Sequence, residues 1–269
     1  ATMGKIKAGC IGTGVMGSAL MEAVVKVAGA DQVVVRDADP LKAEAFCRKT
    51  GCSTAASNRD VASSCDYVFL AVKPQFLFPV LEEISQALGH DTVIVSMAAG
   101  VRIEQIKKHL DRHPKIIRIM PNTPAAVGSG MTAIAPDAGC SAGEVEELRR
   151  LLGLTGLTEI TGEGLMDAVT AVSGSGPAYG YLFIEALADA AVRMGMPRAQ
   201  AIKYAAQTLR GSAEMVLQTG THPGVLKDGV CSPAGTTIAA VAKLEERGFR
   251  SAVIEAAMAA WNRSRELGT

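Results

Sequence analysis

The stretch KIKAGCIGTGVMGSALMEAVV, Lys5 to Val25, decides the fold. A short apolar run, Ile6–Ile11, meets Gly12-x-Gly14-x-x-Gly17, and a helical pattern over Val15–Ala28 starts among the glycines. Strand, glycine turn and helix in that order form a receptor for a pyrophosphate. Gly12 permits the tight turn, Gly14 lets the diphosphate approach the backbone, and Gly17 lets the helix lie close to the sheet. The helix N-terminus adds free amides and partial positive charge. With both flanking elements in place, the pattern predicts a dinucleotide-binding unit.

Outward from that unit the chain alternates. Apolar runs at Gln32–Arg36, Tyr67–Val72, Thr92–Met97 and Lys115–Met120 are separated by helical patterns at Leu41–Lys49, Gln75–Leu88 and Ile103–Leu110. Nearly continuous apolar strands between helices imply a parallel, doubly wound sheet covered on both faces. GMTAIA and LTEI are candidates for added edge strands. Beyond Gly162 no strand is readable. Helical patterns follow at 165–172, 176–194, 198–218, 236–246 and 250–266, broken at SGSGP, GMP, THPG, SPAGT and ERGF. The expected organisation is therefore α/β, with a sheet domain over 1–163 and an all-helical domain over 164–269. Ala-rich helix faces (Ala186, Ala190; Ala201, Ala205, Ala206) suit helices that approach closely, and the segment is too apolar for a free-standing bundle. Self-association through it is expected.

Composition narrows the classes. The chain has 269 residues, 27 basic and 27 acidic, so it offers no cationic footprint for nucleic acid and no polybasic handle for a membrane. The apolar stretch Ala168–Met196 carries Glu185, Asp189 and Arg193, which argues against a membrane span. Six scattered cysteines without a C-x-x-C pair or a histidine cluster argue against zinc and against a disulfide framework. A strand pattern reached at Ile6 leaves no signal-peptide pattern before it. The expected setting is the cytoplasm.

The cofactor candidates sit at strand ends. VVVRDADPLK places Asp37 where a carboxylate would grip an adenosine ribose 2′-hydroxyl, which favours NADH. Arg36 and Lys42 beside it could instead meet the 2′-phosphate of NADPH, and a solvated charge pair is the plain alternative. Ala71, Val72, Lys73 and Pro74 end one strand, Ala98 and Ala99 follow the next, and Asn122 and Thr123 follow a third. Small residues there admit a nicotinamide-ribose against the backbone. In the helical half, Ser232-Pro233-Ala234-Gly235-Thr236-Thr237 precedes a helix. Such a turn either holds an anion at the helix N-terminus or is an ordinary hydroxyl cap.

These motifs carry a resemblance. AVKP, AAGV, MPNTP, SGSGPAY with EALADAAV and GMPR, and HPG-LKD-VCSP-GTTI together resemble the pyrroline-5-carboxylate reductase family over essentially the whole chain. The resemblance implies a Rossmann domain followed by an all-α dimerisation domain, with dimers that assemble further, up to a decamer of dimers. It implies reduction of a cyclic imine to L-proline with NADPH or NADH, the last step of proline synthesis. Carried over by motif, Gly12, Thr13, Gly14, Val15, Met16 and Gly17 would hold the pyrophosphate, and Asn58 would meet the adenosine. Ala71 to Pro74 with Ala98 and Ala99 would line the nicotinamide. Ser232, Gly235, Thr236 and Thr237 would hold the substrate carboxylate and ring nitrogen, with Thr237 as the catalytic candidate. Two departures stand out: the family has Gly-Gly where this chain has Ala234-Gly235, and NADPH-using members carry Ser, Thr or Asn near the position of Asp37.

A cyclic imine needs little acid catalysis, because its nitrogen takes a proton readily; orientation does most of the work. No histidine relay is therefore expected. His90, His109 and His113 fall in surface-like segments, and His222 reads as a helix-start or interface residue. Glu185, Asp189 and Arg193 read as a structural charge row, and Glu163 is a lesser candidate for the substrate. A 3-hydroxyacid dehydrogenase would need a lysine in the interdomain helix, yet none occurs between Leu165 and Val192. A non-catalytic dinucleotide sensor would not need the hydroxylated turn.

Overall fold

A computed structural model describes residues 6–111 and 114–268. The chain forms two compact units: one runs through Ser175 and includes the segment from Ala260, the other is Gly176–Ala259.

In the first unit the strands are β1 (Ile6–Ile11), β2 (Val33–Arg36), β3 (Ser53–Thr54), β4 (Cys65–Leu70), β5 (Val93–Ser96), β6 (Lys115–Met120), β7 (Gly130–Pro136) and β8 (Gly156–Ile160). They make one sheet in the order β3-β2-β1-β4-β5-β6-β7-β8. The first six are parallel throughout. Their order reverses between β1 and β4, and it is there, beyond the carboxyl ends of the strands, that such sheets bind ligands. The expected doubly wound parallel sheet is present, and the two candidate edge strands extend it in mixed directions. β7 pairs antiparallel with β6, and β8 then pairs parallel with β7. The reason is local: only a short loop with a 3-10 turn at Thr123–Val127 joins β6 to β7, too little chain for a crossover helix.

The covering helices are α1 (Val15–Ala28), α2 (Pro40–Thr50), α3 (Asn58–Ser64), α4 (Pro74–Ile84), α5 (Ile103–Lys108) and α6 (Ala142–Leu151). Leu20, Met21, Val24, Phe69, Ile117 and Leu148 fill one side of the sheet; Leu70, Leu77, Leu81, Ile94, Ile106 and Ile116 fill the other. Successive residues of β6 thus serve opposite layers, as a pleat covered on both faces requires. One polar residue interrupts that strand: Arg118 is 4% exposed.

After a 3-10 turn at Glu163–Leu165 come α7 (Met166–Val169) and a single π-helical turn at Thr170–Gly174, closed by the Ser175 amide donating to the Thr170 carbonyl at 2.8 Å. Thr170 and Ser173 donate back to the carbonyls of Met166 and Val169, the kind of bonding that loosens helical geometry.

The second unit holds α8 (Gly176–Arg193), α9 (Arg198–Thr219), α10 (Pro223–Val230), α11 (Thr236–Glu246) and most of α12 (Phe249–Leu267). Its buried apolar residues are Ala188, Ala201 and Ala205, where α8 meets α9. Tyr181, Leu182, Ile202, Tyr204 and Ile254 stay exposed in the single chain. An apolar helical unit with so small an interior leaves faces that call for another surface. Of the expected charge row, Asp189 pairs with Arg198 at 2.5 Å rather than with Arg193. Among the described residues no helix is long and apolar enough to cross a membrane, and His113 lies outside those residues.

Candidate active site and cofactor cradle

The cradle begins where β1 stops. Gly12 has φ +102°, and a side chain there would meet the Ala71 carbonyl at 2.5 Å. At Gly17 an added Cβ would lie 2.5 Å from the Gly12 carbonyl oxygen and 2.8 Å from the Ala71 side chain, so α1 seats on the loop only with glycine there. Gly14 is the opposite case. It is the N-cap of α1, no side chain caps it, and a Cβ there would meet nothing within 4 Å. The first-turn amides, those of Val15 and Met16 among them, lack intrahelical partners. Open space before an uncapped helix of 14 residues fits a pyrophosphate.

Asp37 shapes that loop from the end of β2. Its Oδ2 accepts the Thr13 amide at 2.6 Å and the Thr13 hydroxyl at 2.9 Å; its Oδ1 accepts the Asp39 amide at 2.9 Å. Partial burial alone would raise its carboxyl. The Thr13 and Asp39 donors, with Lys42, outweigh that and hold it below the usual range. Arg36 folds back so that its guanidinium donates to the Asp37 carbonyl. Ser18, just past the last glycine, donates to the Thr13 carbonyl at 2.9 Å; its hydroxyl directly after the fingerprint was the overlooked signal.

The next loops stand in register beside it. The Ala71 amide donates to Ile11 at 2.9 Å, Lys73 is the exposed N-cap of α4, and Pro74 opens that helix. Ala98 is buried, and Gly100 turns the chain with φ +75°. Other expected contacts have prior commitments. The Asn122 amide group donates to the Ser173 carbonyl at 3.0 Å and accepts the Met131 amide at 2.9 Å, so its side chain ties the β6–β7 loop to the π turn. Asn58 opens α3 and donates to Glu83 at 2.8 Å. Glu163 accepts from both Arg118 at 2.9 Å and the Ile103 amide at 2.7 Å, which makes it a partner of a buried cation and a cap for α5. A lone arginine inside KIIRIM was the sequence signal for such a partner.

In the second unit, α10 and α11 are joined by the turn Ser232–Gly235. The Gly235 amide donates to the Ser232 carbonyl at 3.1 Å, and a Cβ at Gly235 would lie 2.3 Å from the Ser232 hydroxyl. Ala234 is left-handed, φ +54°, the one such non-glycine among the described residues. Gly235 caps α11 without any side-chain hydrogen bond, so the turn is no ordinary hydroxyl cap. The helix therefore begins with uncapped amides at Thr236 and Thr237. His222 starts α10 by accepting the Gly224 amide at 3.1 Å.

Comparison with known proteins bears on both units. A family model described as pyrroline-5-carboxylate reductase dimerisation matches residues 163–267, and one described as NADP oxidoreductase coenzyme F420-dependent matches residues 7–100. The pyrroline-5-carboxylate reductase of Escherichia coli strain K12 is 46% identical over 263 residues, 97% of this chain and 98% of that relative. The crystal structure of a Plasmodium falciparum pyrroline carboxylate reductase with NADP bound has a TM-score of 0.87 at 31% identity, covering 99% of this chain and 100% of that one. A pyrroline-5-carboxylate reductase from Coxiella burnetii has a TM-score of 0.91 at 32% identity, covering 98% and 99%. The glycine cradle, the helical unit with unsatisfied apolar faces and this full-length likeness agree: the chain belongs to the pyrroline-5-carboxylate reductase family.

Proposed function

We propose that the chain reduces 1-pyrroline-5-carboxylate to L-proline, with NAD(P)H on the first unit and the substrate carboxylate at the start of α11. The observation that carries the reading is the pair of uncapped helix N-termini, at Gly14 and at Gly235, with a Cβ excluded at Gly12 and Gly17 beside the first and crowded against Ser232 at the second.

The bound nicotinamide supplies the hydride. The chain's own groups bind and orient. Gly12 to Gly17 receive the pyrophosphate; Ala71 to Pro74 and Ala98–Ala99 border the nicotinamide; Asn58 borders the adenosine at the cost of its bond to Glu83. The amides of Thr236 and Thr237 with the Ser232 hydroxyl receive the carboxylate. The Thr237 hydroxyl donates to the ring nitrogen and holds it for protonation. Orientation of two bound reactants supplies most of the acceleration, and no histidine is required. Transfer requires the two bound molecules to be presented to each other in the assembled enzyme.

Finer points follow from the same residues. NADH is favoured over NADPH, because the carboxylate of Asp37 would face a 2′-phosphate. The helical unit self-associates, which its family match supports; the dimer is the unit, and a decamer of dimers is the larger ring built from it. The cytoplasm is the setting, in line with six free thiols, among them Cys47 and Cys52, which share a hydrogen bond at 3.1 Å and no disulfide. The test is to incubate the protein with pyrroline-5-carboxylate and NADH or NADPH and to identify the product. L-Proline formed with loss of nicotinamide absorbance is expected. No proline with either cofactor overturns the reading.

A further inference from the structure

Asp37 was expected to choose between cofactors, yet its geometry does something more general. Three donors from two segments converge on its carboxylate: the amide and hydroxyl of Thr13 in the glycine loop, and the Asp39 amide in the β2–α2 turn. Asp39 in turn caps α2 through the Leu41 amide at 3.1 Å. The Gly12 amide donates to the Arg36 carbonyl at 2.8 Å, and Ser18 holds Thr13 from the helix side. Thr13, only 7% exposed, is thus fixed from both sides inside the loop whose next residue, Gly14, faces open space. A carboxylate offers about four acceptor positions, so one remains on Oδ1 for a ribose hydroxyl while Oδ2 is taken by Thr13.

We propose that Asp37 is a positioning residue for the pyrophosphate cradle, acting through Thr13, so that it supports binding of either dinucleotide in addition to discriminating between them. This rests on the NAD(P)H reading above. Selection and positioning leave different marks. A pure selector changes the ratio of the two affinities; a brace changes both by a common factor. Thr13→Val keeps the amide and the shape but deletes one donor to Asp37 and leaves the Asp37 charge in place.

The test uses the full-length protein, with dissociation constants for NADH and NADPH from fluorescence titration and amide hydrogen exchange at Thr13 without cofactor. Asp37→Ala should weaken both cofactors by about tenfold or more, in line with loss of hydrogen bonds to a charged acceptor. Asp37→Asn, which retains an acceptor for the amide, should recover part of that loss. Thr13→Val should weaken both about threefold to tenfold at an unchanged ratio. Thr13 exchange should quicken in Asp37→Ala and be partly restored in Asp37→Asn. Unchanged Thr13 exchange in Asp37→Ala, or an altered NADH-to-NADPH ratio with no common loss, would overturn the brace. Failure of the unsubstituted protein to bind either dinucleotide would instead remove the NAD(P)H reading on which it stands.

Discussion

Partly exposed Glu163 pairs with buried Arg118 at 2.9 Å, and the same Glu163 oxygen accepts the Ile103 amide at 2.7 Å. The pair joins the middle of the sheet to the start of α5 and to the turn where the chain leaves the sheet. Glu163 was a lesser candidate for the substrate; its carboxylate is already spent on structure. Glu163→Ala would strand a guanidinium whose side chain is 5% exposed. The expected loss is about 3 kcal/mol, a fall in melting temperature of roughly 6–10 °C. Glu163→Gln keeps an acceptor for Ile103 and should lose less. Differential scanning calorimetry reads both.

Ala234 sits at φ +54° in the turn before α11. A left-handed alanine costs about 1 kcal/mol relative to glycine at such a position. Ala234→Gly should therefore stabilise the protein by up to about 1 kcal/mol, a rise of roughly 2–4 °C in melting temperature. A fall would mean that the turn does not hold this conformation in solution.

Thr237 stands in the uncapped first turn of α11. Thr237→Ala deletes the hydroxyl proposed to bond the ring nitrogen and changes no residue of the dinucleotide cradle. Turnover should drop about tenfold, the worth of one such bond, with the dissociation constant for NADH or NADPH unchanged. Unchanged turnover would remove Thr237 from the chemistry.

Cofactor choice has its own signature. Asp37→Ser removes the negative charge that would face a 2′-phosphate, so kcat/KM for NADPH should rise relative to NADH. The carboxyl of Asp37 is held below its ordinary value of 3.8, so its folded form gains stability above that value and loses it as pH falls through the lowered one. The charge is thus present at neutral pH, and the ratio measured there should respond fully. An unaltered ratio would show that Asp37 does not select.

Much of this was legible in the sequence because the signals were local. The glycine fingerprint, the apolar strands and the change from strand to helical patterns near Gly162 are each written in consecutive residues. The strands that were expected appeared within two residues of their expected ends, and only the short β3 was not expected. What was not legible depends on partners distant in the chain. His222 hinted at the start of α10, but its extent was hidden because HPGVLKDGV, with a proline and two glycines, reads as loop; the start is secured by the His222 ring and by proline at the first turn. The antiparallel pairing of β7 does have a local cause, the loop after β6 that is too short for a crossover helix; what no local stretch shows is that β8 then pairs parallel with β7. Asn122 and Asn58 resemble ligand contacts in sequence, and only the fold shows their amides already bonded to Ser173, Met131 and Glu83.

The account stands on one proposed receptor more than any other: the start of α11, whose backbone amides, with Ser232, are assigned to the substrate carboxylate. Gly235→Ala would press a Cβ to 2.3 Å from the Ser232 hydroxyl and spoil that receptor without touching the dinucleotide cradle. The direct measurement is kcat/KM for pyrroline-5-carboxylate and for 1-pyrroline, the same ring without the acid group, in the unsubstituted protein and in Gly235→Ala. The account predicts a loss of about a hundredfold for the acid, the worth of charge-assisted hydrogen bonds, and little change for the bare ring. Equal losses for both substrates would contradict it.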